Sequence, residues 1–155
     1  NMKFMLNGAV TLGTYDGANV EITECAGREN NYIFGATVEE LNKIRDTYDP
    51  MKIYRKNKVI RDALDSTVSD EFGTEDAGIR EYYTSILEGA SWHRPDHYFV
   101  LKDFDAYLKA KLEANHDYAS DPKAFARKCL MNIASAGMFS SDRTVREYAK
   151  DIWEI

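Results

Sequence analysis

Cysteine is scarce in this 155-residue sequence: Cys25 and Cys129 stand alone, 104 positions apart. A metal centre needs paired ligand spacing and a disulfide-stapled secreted scaffold needs more half-cystines, so both are excluded and two reduced, mostly buried thiols are expected. Long apolar runs are also missing. No stretch approaches the ~18 residues of a membrane span, and no membrane partner is expected. The opening Asn1-Met2-Lys3-Phe4-Met5-Leu6-Asn7 lacks a long hydrophobic region and a small-residue cleavage site, so it does not read as a signal peptide. Basic excess is absent as well. Twenty Lys and Arg against 26 Asp and Glu give a net charge of −6, which argues against nucleic acid as a partner.

The pattern along the chain is that of an α/β fold, mostly helical. Val10–Thr14 and Asn31–Phe34 are short β-prone runs closed by glycines. Between them Ala18–Ala26 reads as a helix ending at Gly27. Together they form a βαβ remnant over residues 1–36, whose crossover joins parallel strands. A helical layer follows over 37–155, and the whole is expected to be a single partial domain.

Within that layer Thr37 and Glu40 form a capping box for a helix to about Tyr48. Pro50 interrupts it, and Val59 to Val68 is helical. Ser69 to Gly78 reads as a loop, Ile79 to Leu87 as a helix ending near Gly89, and His93-Arg94-Pro95-Asp96 as a turn. Tyr98–Leu101 reads as a short extended run. Asp103 is positioned to cap a helix bearing Phe104, Tyr107, Leu108 and Leu112. Asp121-Pro122 starts another, carrying Phe125, Cys129 and Ile133 and stopping at Gly137. Ser140 or Ser141 caps a last helix with Val145, Tyr148, Ala149, Ile152 and Trp153 on one face.

The chemistry-bearing residues are few. Lys3 has apolar neighbours on both sides, and burial among them would lower its pKa and fit it for imine formation. A lysine snorkelling past a hydrophobic face has the same pattern. Gly8, Gly13 and Gly17 match neither phosphate-binding glycine pattern and suit turns and close packing. Asp16 with Glu21 and Glu39 with Glu40 read as turn and first-turn acids. His93 and His97 are separated by Pro95, which breaks the helical spacing a metal would need, so no metal site is expected. Ser140-Ser141-Asp142-Arg143 has no histidine nearby and reads as a helix start. No catalytic residue is assigned.

Two blocks carry a family signature. Asn1-Met2-Lys3-Phe4-Met5-Leu6-Asn7-Gly8-Ala9, continuing through Gly13-Thr14-Tyr15-Asp16-Gly17-Ala18-Asn19-Val20-Glu21, is similar to the segment around the cofactor lysine of α-glucan (glycogen, starch or maltodextrin) phosphorylases. Met131 to Thr144, with Tyr148-Ala149 and Ile152-Trp153, resembles the last two helices of that family. Asp96 to Tyr107 is a softer match between them.

The resemblance implies a C-terminal fragment, beginning at the lysine motif, of a Rossmann-like (GT-B type) glycosyltransferase domain. It implies pyridoxal phosphate held by Lys3 as a Schiff base, with α-1,4-glucan and phosphate as partners of the parent. The activity implied is retaining phosphorolysis to glucose 1-phosphate in the cytoplasm. The family's glycine- and threonine-containing turn, its upstream basic residues and its acidic residue near the glucose all precede residue 1. The chain alone is therefore expected to be inactive. The alternative is a non-catalytic helical packing module whose exposed strand edge and helix faces promote self-association.

Overall fold

The computed structural model describes residues 1–69 and 77–155. The chain divides into two compact units, one formed by Asn1–Thr37 with Tyr107–Ile155 and the other by Val38–Ala106.

The first unit holds the βαβ element. Strand β1 (Leu12–Thr14) pairs in parallel with β2 (Tyr32–Phe34), in the register Leu12 with Tyr32 and Thr14 with Phe34. The crossover is α2 (Ala18–Ala26), which ends on Gly27 as its sequence signals, followed by a 3-10 turn at Arg28–Asn30. Both strands are shorter than their β-prone runs. Asn31 ends the turn instead, donating through Nδ2 to Gly27 O and accepting from Thr11 N. Before the sheet comes α1 (Met2–Leu6), a short helix. At the C-terminal end lie α8 (Pro122–Ser135), a 3-10 turn at Ala136–Phe139 and α9 (Ser141–Asp151). Asp121 caps α8 on Lys123 N and Ala124 N with Pro122 at the first position, and Ser140 caps α9 on Arg143 N, both as expected. Helix α8 stops at Ser135 rather than at Gly137, which lies within the 3-10 turn.

Met5, Ile22, Ala26 and Ala136 form the buried core of this unit, with Cys25 and Phe139 packed against it. The two free thiols are mostly buried, and Cys25 Sγ lies 3.4 Å from Met138 Sδ. Because Ile22 is wholly enclosed (0% exposed) on the helix that joins the strands, its truncation leaves a void no neighbour can fill. Ile22→Ala is expected to cost about 2–5 kcal/mol, read from the shift in the denaturant midpoint.

Polar contacts tie the sheet to the C-terminal helices. Asn132, also fully buried, donates to Asn30 O at 2.9 Å and to Lys128 O at 3.0 Å. Tyr32 Oη donates to Asp117 Oδ2 at 2.7 Å, and its ring stacks on Phe125. Burial, and then the Asp117 carboxylate, push the Tyr32 phenol well above its usual range. The last helix has no buried residue. Val145, Tyr148, Ile152 and Trp153, its expected apolar face, are all exposed.

The second unit is helical: α3 (Val38–Ile44), α4 (Pro50–Lys56), α5 (Lys58–Val68) and α6 (Ala77–Leu87). Helix α7 (Val100–Ser120) begins in this unit and ends in the first. Its core is Ile60, Leu64, Ile86, Leu87 and Leu101, with Tyr54, Tyr83 and Phe104 packed around it. Tyr54 and Tyr83 both donate to Asp65 Oδ1, at 2.7 and 3.1 Å, which satisfies their hydroxyls beside the apolar cluster.

Five expectations are corrected in this unit. Helix α3 ends at Ile44, short of Tyr48. Pro50 does not merely interrupt a helix but opens α4, because Asp49 caps Met51 N and proline at the first position has no donor to lose. The loop expected from Ser69 to Gly78 ends earlier, since α6 starts at Ala77; positions 70–76 of that expectation lie outside the described residues. Residues 98–101 are not extended: Phe99 has φ +57 and Val100 and Leu101 begin α7. The cap of α7 is Asp96, whose Oδ1 accepts from Val100 N at 2.7 Å and Oδ2 from Leu101 N at 2.9 Å. Asp103 lies inside the first turn.

Candidate functional site

Lys3 sits in the middle of α1, a helix too short to hold itself without outside anchors. Those anchors are specific. Met5 fixes one side of the helix in the core. At the start of the helix, Asn1 Nδ2 donates to Asn19 Oδ1 at 2.7 Å, and Asn19 Nδ2 donates to Thr14 O at 3.0 Å. At its end, Asn7 Nδ2 donates to Lys3 O at 2.8 Å. Asn19 is buried and belongs to α2, so one amide side chain links the lysine helix, the end of β1 and the crossover helix.

Gly13 is what makes room for that link. A Cβ on residue 13 would stand 2.6 Å from Asn19 Nδ2, well inside contact distance. The close-packing role read from the glycine spacing therefore applies to Gly13, while Gly8 and Gly17 take positive φ at turns. Asp16 accepts from Thr14 Oγ1 at 3.1 Å, a turn contact, and Glu21 lies in the first turn of α2.

The surroundings of Lys3 differ from the burial that its apolar flanks suggested. Met2, Phe4 and Leu6 are exposed, Phe4 to 71%, and so is Lys3. Only Met5 of α1 is buried. Lys3 instead lies on an open concavity of about 880 Å³ lined also by Asn1, Met2, Phe4, Asn7 and Ala18. The volume is ample for a ring the size of a vitamin aldehyde, and the lining is largely apolar with a primary amine on it. Among the described residues Lys3 is the only cationic side chain in that lining.

The remaining candidates do not gather there. Glu39 and Glu40 lie in the first turn of α3, in the other unit. The His93 and His97 rings are 6.0 Å apart and belong to a loop. Among the described residues no group of three or more His, Cys, Asp or Glu side chains converges as a metal would require, and no helix is long and apolar enough to cross a membrane. The sequence reading missed Asn19. Its signal was an asparagine, a poor helix former, in the first turn of an otherwise regular helix.

The whole chain, residues 1–155, matches the family of carbohydrate phosphorylases. It belongs to that family. Its relatives include the brain form of glycogen phosphorylase from Rattus norvegicus, 40% identical over 156 residues, and the glycogen phosphorylase of Bacillus subtilis, 41% identical over 157. The glycogen phosphorylase of Haemophilus influenzae is 38% identical. In each case the match covers all of this chain but only 18–19% of the relative. This phosphorylase segment thus carries the Lys3 concavity on a βαβ element, and most of the relatives' length has no counterpart in it.

Proposed function

We propose that this chain is the C-terminal part of a cytoplasmic, pyridoxal-phosphate-dependent α-1,4-glucan phosphorylase, in a GT-B-type domain, and that Lys3 is its cofactor lysine. The observation that carries this reading is an exposed primary amine on an apolar concavity, held by the Asn1–Asn19–Thr14 chain on a helix otherwise too short to be rigid. Such an amine fits the attachment of an aldehyde-bearing ring. When bound, the cofactor would supply a phosphate group for proton donation and electrostatic support, with Lys3 as the residue that holds it.

What this chain contributes is position. Asn19 and Met5 fix α1, and the largely apolar lining offers a surface for the ring face. Among the described residues the lining includes no further cationic side chain for a phosphate dianion, which supports assigning phosphate binding to residues beyond this concavity. That deficit favours a second property: the chain alone binds or packs but does not turn over substrate. The bare face of α9 points the same way, toward self-association of the isolated chain.

The test is incubation with pyridoxal phosphate, borohydride reduction and peptide mass mapping, followed by a glucose 1-phosphate release assay. Label on Lys3 without turnover is the expected outcome. Label spread evenly over surface lysines removes the assignment of Lys3, and turnover by the chain alone overturns its status as a part.

A further inference from the structure

The second unit exposes more aromatic surface than its core needs. Trp92 is 82% exposed and Tyr98 83%, and Tyr82 on α6 is exposed beside them. Single exposed apolar residues are ordinary, but grouped aromatic rings mark binding surfaces.

These rings are held in place. Gly89 has φ +84, and a Cβ there would stand 2.9 Å from His93 O and from Pro95 N, so the chain can turn back on itself only with glycine. Ala90 and His93 then exchange two backbone hydrogen bonds, at 3.1 and 3.2 Å, which present Trp92 between them. Ring contacts continue the support: Trp92 on His93 at 4.3 Å, His93 on His97 at 6.0 Å and His97 on Tyr98 at 5.0 Å between centroids. His93 Nδ1 lies 2.8 Å from Arg94 O. A carbonyl only accepts, so Nδ1 donates, and in the neutral ring Nε2 is then an acceptor facing Ser85 Oγ at 3.4 Å.

Two adjoining concavities, about 390 and 310 Å³, share Tyr82, Ser85, Trp92 and His93. They form one open trough with exposed rings and a hydrogen-bonding rim of Ser85, His93 and His97, in the size range of small-ligand sites. Among the described residues their linings include the carboxylates of Glu81 and of Asp96, the latter already accepting from Tyr48 and the first amides of α7, but no lysine or arginine. A stacked nucleic acid would bring phosphates with no cation to meet them. A pyranose meets all of these conditions. Its axial C–H face is apolar and flat enough to lie on a ring, its hydroxyls need donors and acceptors around the edge, and it has no charge.

We propose that the Tyr82–Trp92–Tyr98 trough is a carbohydrate-binding site for α-1,4-linked glucose chains, sharing no residue with the Lys3 concavity. The choice of α-glucan rests on the function proposed above; the trough chemistry itself asks for a pyranose chain. In a Trp153→Phe background Trp92 is the sole tryptophan, and its fluorescence is expected to change on titration with maltoheptaose and not with cellohexaose.

In native gels containing soluble glycogen the 155-residue chain is expected to be retarded. Trp92→Ala and Tyr98→Ala should each weaken retardation about tenfold, the loss of one stacked ring. Trp92→Phe should restore part of it, and all variants should keep the parent far-UV circular dichroism. Lys3→Ala should be retarded like the parent chain, and pyridoxal labelling of Lys3 should survive Trp92→Ala, so the two sites fail separately. Absence of retardation, or retardation untouched by Trp92→Ala and Tyr98→Ala, overturns the proposal. So does a Trp92→Ala effect on self-association alone, which would make the trough a contact between copies.

Discussion

In the full-length phosphorylase proposed above, Lys3→Ala is expected to remove borohydride-trapped pyridoxal label and to reduce phosphorolysis to background. The far-UV spectrum and unfolding midpoint of the present chain should hardly move. The asymmetry follows from placement. Lys3 is exposed on α1, and the helix is held by Met5 in the core, by the Asn1–Asn19 bond and by Asn7 on the Lys3 carbonyl, so deleting the lysine side chain removes no core contact. A surface change of that kind shifts stability by roughly 0.5 kcal/mol or less. Lys3→Arg sharpens the test. It preserves charge and stem length, yet a guanidinium stays protonated and cannot add to an aldehyde, so label and activity should be lost as completely as with alanine. Retained label in either variant would transfer the cofactor role to another lysine.

The parts of the fold that local rules govern were legible. Gly27 ends α2, Asp121-Pro122 opens α8 and Ser140 caps α9, because each is settled by neighbours within four residues. The same rule was available at Asp49-Pro50, where the proline reads equally well as a stop for the preceding helix or a start for the next; the start prevails. Phe99-Val100-Leu101 reads as a strand by composition. Asp96, with φ +41, offers both carboxylate oxygens to the amides that follow and makes it a helix start instead. At the candidate site, Lys3 is proposed from the family resemblance of its segment, and its environment was not legible in the sequence. Apolar neighbours in sequence become buried only if the helix is long enough to turn them inward, and α1 is not. Asn19 and the Trp92 trough depend on residues brought together from a distance, which no spacing within one segment announces.

Asp96→Ala is expected to be the most damaging single change in the second unit. Asp96 is 3% exposed, and beyond its two bonds to the α7 amides it accepts from Tyr48 Oη at 2.6 Å, while the Tyr48 ring packs on Phe99 at 4.8 Å. Alanine strands three donors at once, and each buried donor left unpaired costs about 1–3 kcal/mol. It also places a residue with no local hydrogen bond at positive φ. A loss of about 3–5 kcal/mol is the expected sum after partial relaxation. Asp96→Asn should be milder: asparagine tolerates the left-handed backbone and its Oδ1 can still accept, though Nδ2 must face a donor. An alkaline series adds a readout specific to this contact. Burial first, and then the Asp96 carboxylate, raise the Tyr48 phenol above its ordinary value of 10.0. A phenol whose folded pKa is raised stabilises the fold below about pH 10 and loses that contribution as pH climbs toward the folded value. The parent chain should therefore lose stability above about pH 10, and Asp96→Ala should lose less over the same interval, because the carboxylate part of the shift is gone. Equal slopes in the two proteins would mean that Asp96 holds α7 without touching the titration of Tyr48.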